Sequence, residues 1–138
     1  MTLLLALQVS AQDNKHPRFN PEEFKAKLEA FITHKAGLTA EESAKVFPIY
    51  HEMKDKQREL RQKEFKLKKS LPQSDSDKDY QDILDKVAQL HIEAAKIEES
   101  YNKKMYKAIP AKKVYAITLA EDAFHREMLK KFNNKPQR

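Results

Sequence analysis

The chain has 138 residues, 35% of them charged, with a formal net charge of +6, one glycine, no cysteine and no tryptophan. A lone glycine excludes the P-loop and the dinucleotide fingerprint, whose several glycines let the backbone approach a phosphate, and argues against a sheet of tight hairpins. The missing cysteines exclude thiolate zinc sites, iron–sulfur clusters, thiol nucleophiles and disulfides, and what is left is the composition of long amphipathic helices.

Residues 1–11, MTLLLALQVSA, are the one sustained apolar run, uncharged and ending in the small residues Ser10 and Ala11. They read as the end of a secretory signal peptide cleaved before Gln12, although no Lys or Arg precedes the run, so that Met1 need not be the true start. About ten residues fall short of the roughly 20 that span a bilayer. The expectation is a protein exported to the periplasm of a Gram-negative bacterium, with no stable membrane insertion. A basic chain there meets anionic lipid, acidic polymers or unfolded polypeptide before nucleic acid.

Residues 12–19 are polar and turn-like and read as a flexible leader. One helical domain is expected over residues 20–132. Asn20-Pro21-Glu22-Glu23 opens a first helix with an N-cap, a proline at the first helical position and a carboxylate three residues after the cap. Phe24, Leu28, Phe31 and Ile32 recur at helical spacing, and Gly37 suits the left-handed residue past its end. Thr39-Ala40-Glu41-Glu42 is a capping box that starts a second helix. Behind it Val46, Tyr50, Met53, Gln57, Leu60, Glu64, Leu67 and Leu71 alternate spacings of four and three, the seam of a coiled-coil-like helix. Pro48 lies inside that pattern and predicts a bend near the carbonyl of Ala44.

Residues 73–77 form a polar linker, and Ser76 and Asp79 can cap a third helix. Its stripe is Ile83, Val87, Leu90, Ala94, Ile97, Tyr101, Met105 and Ala108. Two long helices joined by so short a loop are expected to lie antiparallel. Pro110 stops the third helix and suits the first turn of a fourth, whose face is Val114, Ile117, Ala120, Glu121, Phe124, Met128 and Phe132. Residues 133–138 read as a disordered tail. The predicted fold is all-α, four helices around a long central antiparallel hairpin, and so thin an architecture favours a homodimer.

The helix starts Leu38-Thr39-Ala40-Glu41-Glu42 and Ile109-Pro110-Ala111-Lys112-Lys113 resemble those of the Spy/CpxP family of periplasmic proteins, which carry an L-T-x-x-Q motif at each, about seventy residues apart. The family motif positions are Leu38, Thr39 and Glu42, with Glu42 where the family has Gln, and Ile109, Pro110 and Lys113, which replace Leu, Thr and Gln. The resemblance implies an all-helical, cradle-shaped dimer. It also implies a choice among ATP-independent chaperones, accessory proteins of an envelope stress sensor and metal-responsive relatives.

A surface that holds many sequences weakly needs exposed apolar side chains among flexible charged ones. Phe47, Ile49 and Phe65 fall off the seam of the second helix, and Tyr106 and Tyr115 flank the break before the fourth. Lys54, Arg58, Arg61, Lys103, Lys104, Lys112 and Lys113 surround them. These twelve residues are the candidate polypeptide-binding set, each of which could equally widen the core stripe or line a solvated face.

Five histidines, His16, His34, His51, His91 and His125, raise the question of metal. His51 with Asp55 and Glu121 with His125 share a helix face, but a site needs three or four converging ligands, and no metal or cofactor is assigned. No serine sits in a nucleophile elbow, and most carboxylates lie three or four residues from a lysine, so no catalytic residue is assigned and an enzyme is not expected. The function expected is cofactor-independent binding of unfolded or envelope polypeptides through a basic and apolar face. The alternative is a regulatory adaptor or metal-responsive sensor of an envelope stress system.

Overall fold

A computed structural model describes residues 19–70, 72 and 74–134. The readings of residues 1–11 as a signal peptide, of most of the leader, of Leu71 as the last seam residue and of the tail beyond Asn134 lie outside the described residues. Four helices are present, α1 (Pro21–Ala36), α2 (Ala40–Lys69), α3 (Asp77–Ala108) and α4 (Ala111–Asn133), and the described residues contain no strand. Among the described residues no helix is long and apolar enough to cross a membrane.

Local chemistry fixes the helix ends. The Asn20 side chain accepts from the amides of Glu22 and Glu23 at 3.1 and 3.3 Å, with Pro21 in the first turn. α1 stops at Gly37, whose φ of 63° and ψ of 43° are left-handed. The amides of Gly37 and Leu38 return to the carbonyls of His34 and Thr33, the paired bonds of a Schellman motif. The capping box of α2 is complete, Glu42 N–H donating to Thr39 Oγ1 at 3.1 Å and Thr39 N–H to Glu42 Oε1 at 2.9 Å. α2 then runs through Pro48 without a break.

Ser76 caps α3, and Ile109 ends it in extended backbone at φ −137°, as its place before a proline requires. Pro110 stands one position earlier than the first turn expected for it. It is the N-cap of α4, and its carbonyl accepts from the amides of Lys113 and Val114. Asn133, read from sequence as tail, is the last residue of α4.

The apolar spacing decides the packing: α2 lies along α3, α1 along α4, and α4 also touches α3. One core cluster joins all four helices, with Ile32, Val46 and Ile117 its most enclosed side chains. Phe124 is its aromatic hub, set edge-on to Phe24 and Phe31 at 5.6 and 5.4 Å. The cluster holds no residue between Met53 and Ile97. Over that span, past the cleft where Lys54 reaches Glu121 of α4, α2 and α3 pack mainly on each other: Leu60 is buried, and Gln57, Glu64, Leu67, Ile83, Val87, Leu90 and Ala94 are half-buried. The molecule therefore has a packed base and a two-helix arm.

Candidate functional site

The starts of α2 and α4 meet at the base. Leu38 and Ile109 are both buried in the core cluster. The Lys113 ammonium donates to the Gly37 carbonyl and lies 3.6 Å from Glu42 Oε1, tying the start of α4 to the start of α2. The Thr39 amide, and then the Lys113 charge, hold the Glu42 carboxyl below its usual range against an opposing desolvation. Thr39 and Glu42 are thus occupied in capping, and Lys113 in a tie between helices.

Where the base gives way to the arm, α2, α3 and α4 enclose a cleft of about 330 Å³. Met53, Leu60, Met105 and Ile117 give it an apolar floor, and Lys54, Arg61, Glu64, His91, Glu98 and Glu121 give it charges of both signs. Glu121 of α4 accepts from the Tyr50 hydroxyl and from Lys54 Nζ, the latter at 2.6 Å, so this carboxylate fastens α4 to α2. Burial, reinforced by the hydrogen bond to Glu121 and then by its charge, pushes the Tyr50 phenol well above its ordinary range. Glu64 is held by Lys68 at 2.7 Å and His91 at 3.0 Å, and both, Lys68 first, lower its pKa. Arg61 and Glu98 have no ion pair among the described residues.

Farther out, the arm carries a shallow groove of about 580 Å³ between α2 and α3. Leu67 and Leu90 form its floor, and Lys63, Lys66, Asp85, Lys86 and Gln89 its walls. Long lysine side chains lay aliphatic stems along such a floor while keeping their charges in water. Elsewhere on the arm Phe65, Tyr80, Leu84 and Ile92 are exposed, Phe65 at 59% and Leu84 at 67%. Lys69 Nζ lies 4.7 Å from the Phe65 ring centre, within cation–π range.

The twelve candidate residues divide among four places, the core, the cleft, the arm and the α3–α4 corner. Phe47 is buried in the core and Ile49 packs against it, so neither forms part of an exposed face. The reason is a second stripe on α2: Ser43, Phe47 and His51, four residues apart, face α1, where Ser43 meets Thr33 at 3.3 Å and His51 meets Glu29 at 2.5 Å. Lys54 and Arg61 line the cleft, while Arg58 pairs with Asp55 at 3.0 Å and Phe65 stands on the arm. The remaining candidates gather around the α3–α4 corner. There Lys103 pairs with Glu99 at 2.8 Å, Lys104 sits 4.4 Å from the Tyr101 ring centre, and Lys112, Tyr106 and Tyr115 are exposed.

The suspected histidine pairs do not form. His51 bonds Glu29 across helices rather than Asp55, and Glu121 bonds Tyr50 and Lys54 rather than His125. Among the described residues no group of three or more His, Asp and Glu side chains is placed to hold a metal ion. Sequence reasoning missed Leu84 and Ile92, which lie between members of the α3 seam, and Glu98 beside the cleft. Their signal was available as apolar or acidic positions off a stripe already complete without them.

A comparison with protein-family models, with curated proteins and with solved structures found no match.

Proposed function

We propose that the protein binds unfolded or envelope polypeptides in the periplasm without ATP or cofactor, as a divergent relative of the Spy/CpxP family, using the α2–α3 arm. The observation that carries this reading is the arm itself, which exposes Phe65, Leu84 and Ile92 and, between α2 and α3, an apolar groove rimmed by Lys63, Lys66, Lys86 and Asp85 that no other described helix lines. Exposed apolar side chains grouped in this way mark interaction surfaces. The lysine and arginine heads give a loose, charge-steered grip on many sequences rather than a fitted pocket for one.

The arm is read as an antiparallel hairpin. Its cross-helix pairs support that: Lys56 reaches the Tyr101 ring while Glu64, farther along α2, reaches His91, which is earlier on α3. A homodimer in which two such arms form a cradle belongs to the same reading, and the uncovered apolar residues of the arm support it. The junction of the two motif-bearing helix starts through Lys113 supports the family reading.

An aggregation assay tests the function. At equal molar ratio the mature chain delays aggregation of a chemically denatured client, and added salt weakens the effect because exposed charges are screened. Phe65→Ser/Leu84→Ser, at two exposed positions whose replacement changes stability by no more than about 0.5 kcal/mol each, loses most of the protection. A wild-type chain that gives no delay beyond that of an inert control protein overturns the proposal.

A further inference from the structure

The α3–α4 corner carries a charge that the fold does not use. Between Glu99 and Glu121 the sequence has five lysines, Lys103, Lys104, Lys107, Lys112 and Lys113, and no acidic residue. α4 begins without an acidic residue in its first turn and without a side-chain cap, whereas α1, α2 and α3 each have both. Lys112 and Lys113 thus sit at the positive end of the helix dipole, where cations are disfavoured. Glu42 and the Gly37 carbonyl compensate Lys113, and Glu99 compensates Lys103. Lys107 and Lys112 are exposed and have no ion pair among the described residues.

Apolar exposure coincides with this charge. Tyr106, Tyr115 and Leu119 are all exposed, Tyr115 at 66%. Helical spacing places Lys103, Tyr106 and Lys107 on the face of α3 opposite its core residues Tyr101 and Met105. The same spacing puts Lys112, Tyr115 and Leu119 on the face of α4 opposite Ile117, Ala120 and Phe124. Lysines alone would suit any polyanion. Amphipathic rings and a leucine among them suit a bilayer, where tyrosine settles at headgroup depth, lysine stems reach up to the phosphates and leucine enters the acyl boundary.

We propose that the α3–α4 corner is a peripheral docking surface for an anionic lipid bilayer. It lies at the opposite end of α3 from Tyr80 and Leu84 and leaves the arm free, so it stands whether or not the arm binds polypeptide. The test is cosedimentation of the full chain with phosphatidylcholine vesicles, with and without phosphatidylglycerol, at low and raised salt. The protein sediments with the phosphatidylglycerol vesicles at low salt and is released as salt rises. Lys107→Glu/Lys112→Glu lowers partitioning by at least about tenfold, Tyr106→Ser/Tyr115→Ser also lowers it, and Phe65→Ser/Leu84→Ser does not. Helical circular dichroism of each variant confirms that it is folded. Failure of the wild-type chain to sediment with anionic vesicles, or undiminished binding by the lysine variant, overturns the proposal. Binding insensitive to the tyrosine variant and displaced by soluble polyphosphate overturns it in favour of a soluble polyanion.

Discussion

Replacing Ile117 with alanine lowers the unfolding free energy by about 2–5 kcal/mol, and the urea midpoint falls while the slope of the transition is kept. Ile117 is 2% exposed, and it forms part of both the core cluster and the floor of the cleft. α4 packs on α1 and α3, and Glu121 ties it to α2, so a cavity at Ile117 loosens the helix that joins the base together. The surrounding side chains cannot all close in, because Val46 and Ile32 are already enclosed and held by their own helices. Leu84→Ala is the control: at 67% exposure on the arm it costs no more than about 0.5 kcal/mol. Comparable losses at the two positions would contradict the division into a packed base and a thin arm.

Glu121→Ala costs about 1–3 kcal/mol near neutral pH, because one carboxylate serves two partners. Its loss leaves the Tyr50 hydroxyl without an acceptor inside the base, and leaves Lys54, whose side chain is only 25% exposed, without its counter-charge. The same triad gives stability an alkaline limit. Burial first, then the hydrogen bond to Glu121 and lastly the Glu121 charge, raise the folded Tyr50 pKa above the ordinary value near 10 that the unfolded chain keeps. Above about pH 10 the unfolded chain therefore sheds a proton that the folded chain holds, and stability falls as pH rises. Below that pH the contribution is present in full. Urea midpoints measured from about pH 8 to about pH 11 show the decline, and Tyr50→Phe makes it shallower. An identical slope in Tyr50→Phe would mean that another group carries the alkaline loss.

Much of this architecture is legible in the sequence because short-range chemistry sets it. Asn20, Thr39 and Ser76 mark three helix starts by their side-chain oxygens, and Gly37 marks an end by its freedom to adopt positive φ. The alternating seams of α2 and α3 are also the buried and half-buried positions wherever they are described. The surface was harder to read. Phe47 looks exposed if α2 is given one partner, and becomes core once α1 packs against the second stripe of Ser43, Phe47 and His51. Periodicity on one helix does not tell how many neighbours that helix will have. By spacing alone Glu121 belongs to an apolar face with His125 one turn away. Its actual partners, Tyr50 and Lys54, lie about seventy residues earlier and meet it only through the tertiary fold. The basic candidates formed one list in sequence and fall on separate surfaces in space, because Arg61 and Phe65 lie outward of the base while Lys112 and Tyr115 lie at the start of α4.

This separation makes the functional claim local, and a residue-resolved titration tests it most directly. Amide NMR spectra of the full chain, recorded with increasing amounts of reduced, carboxymethylated lactalbumin as a permanently unfolded client, should show broadening and shifts concentrated at Phe65, Leu67, Leu84, Lys86, Leu90 and Ile92. The core signals of Ile32, Val46 and Ile117 should stay in place, since binding to an exposed groove requires no opening of the base. Spectra in which the arm is unperturbed, while Tyr115 and Leu119 respond or nothing responds, would contradict the assignment of the α2–α3 arm as the polypeptide-binding surface.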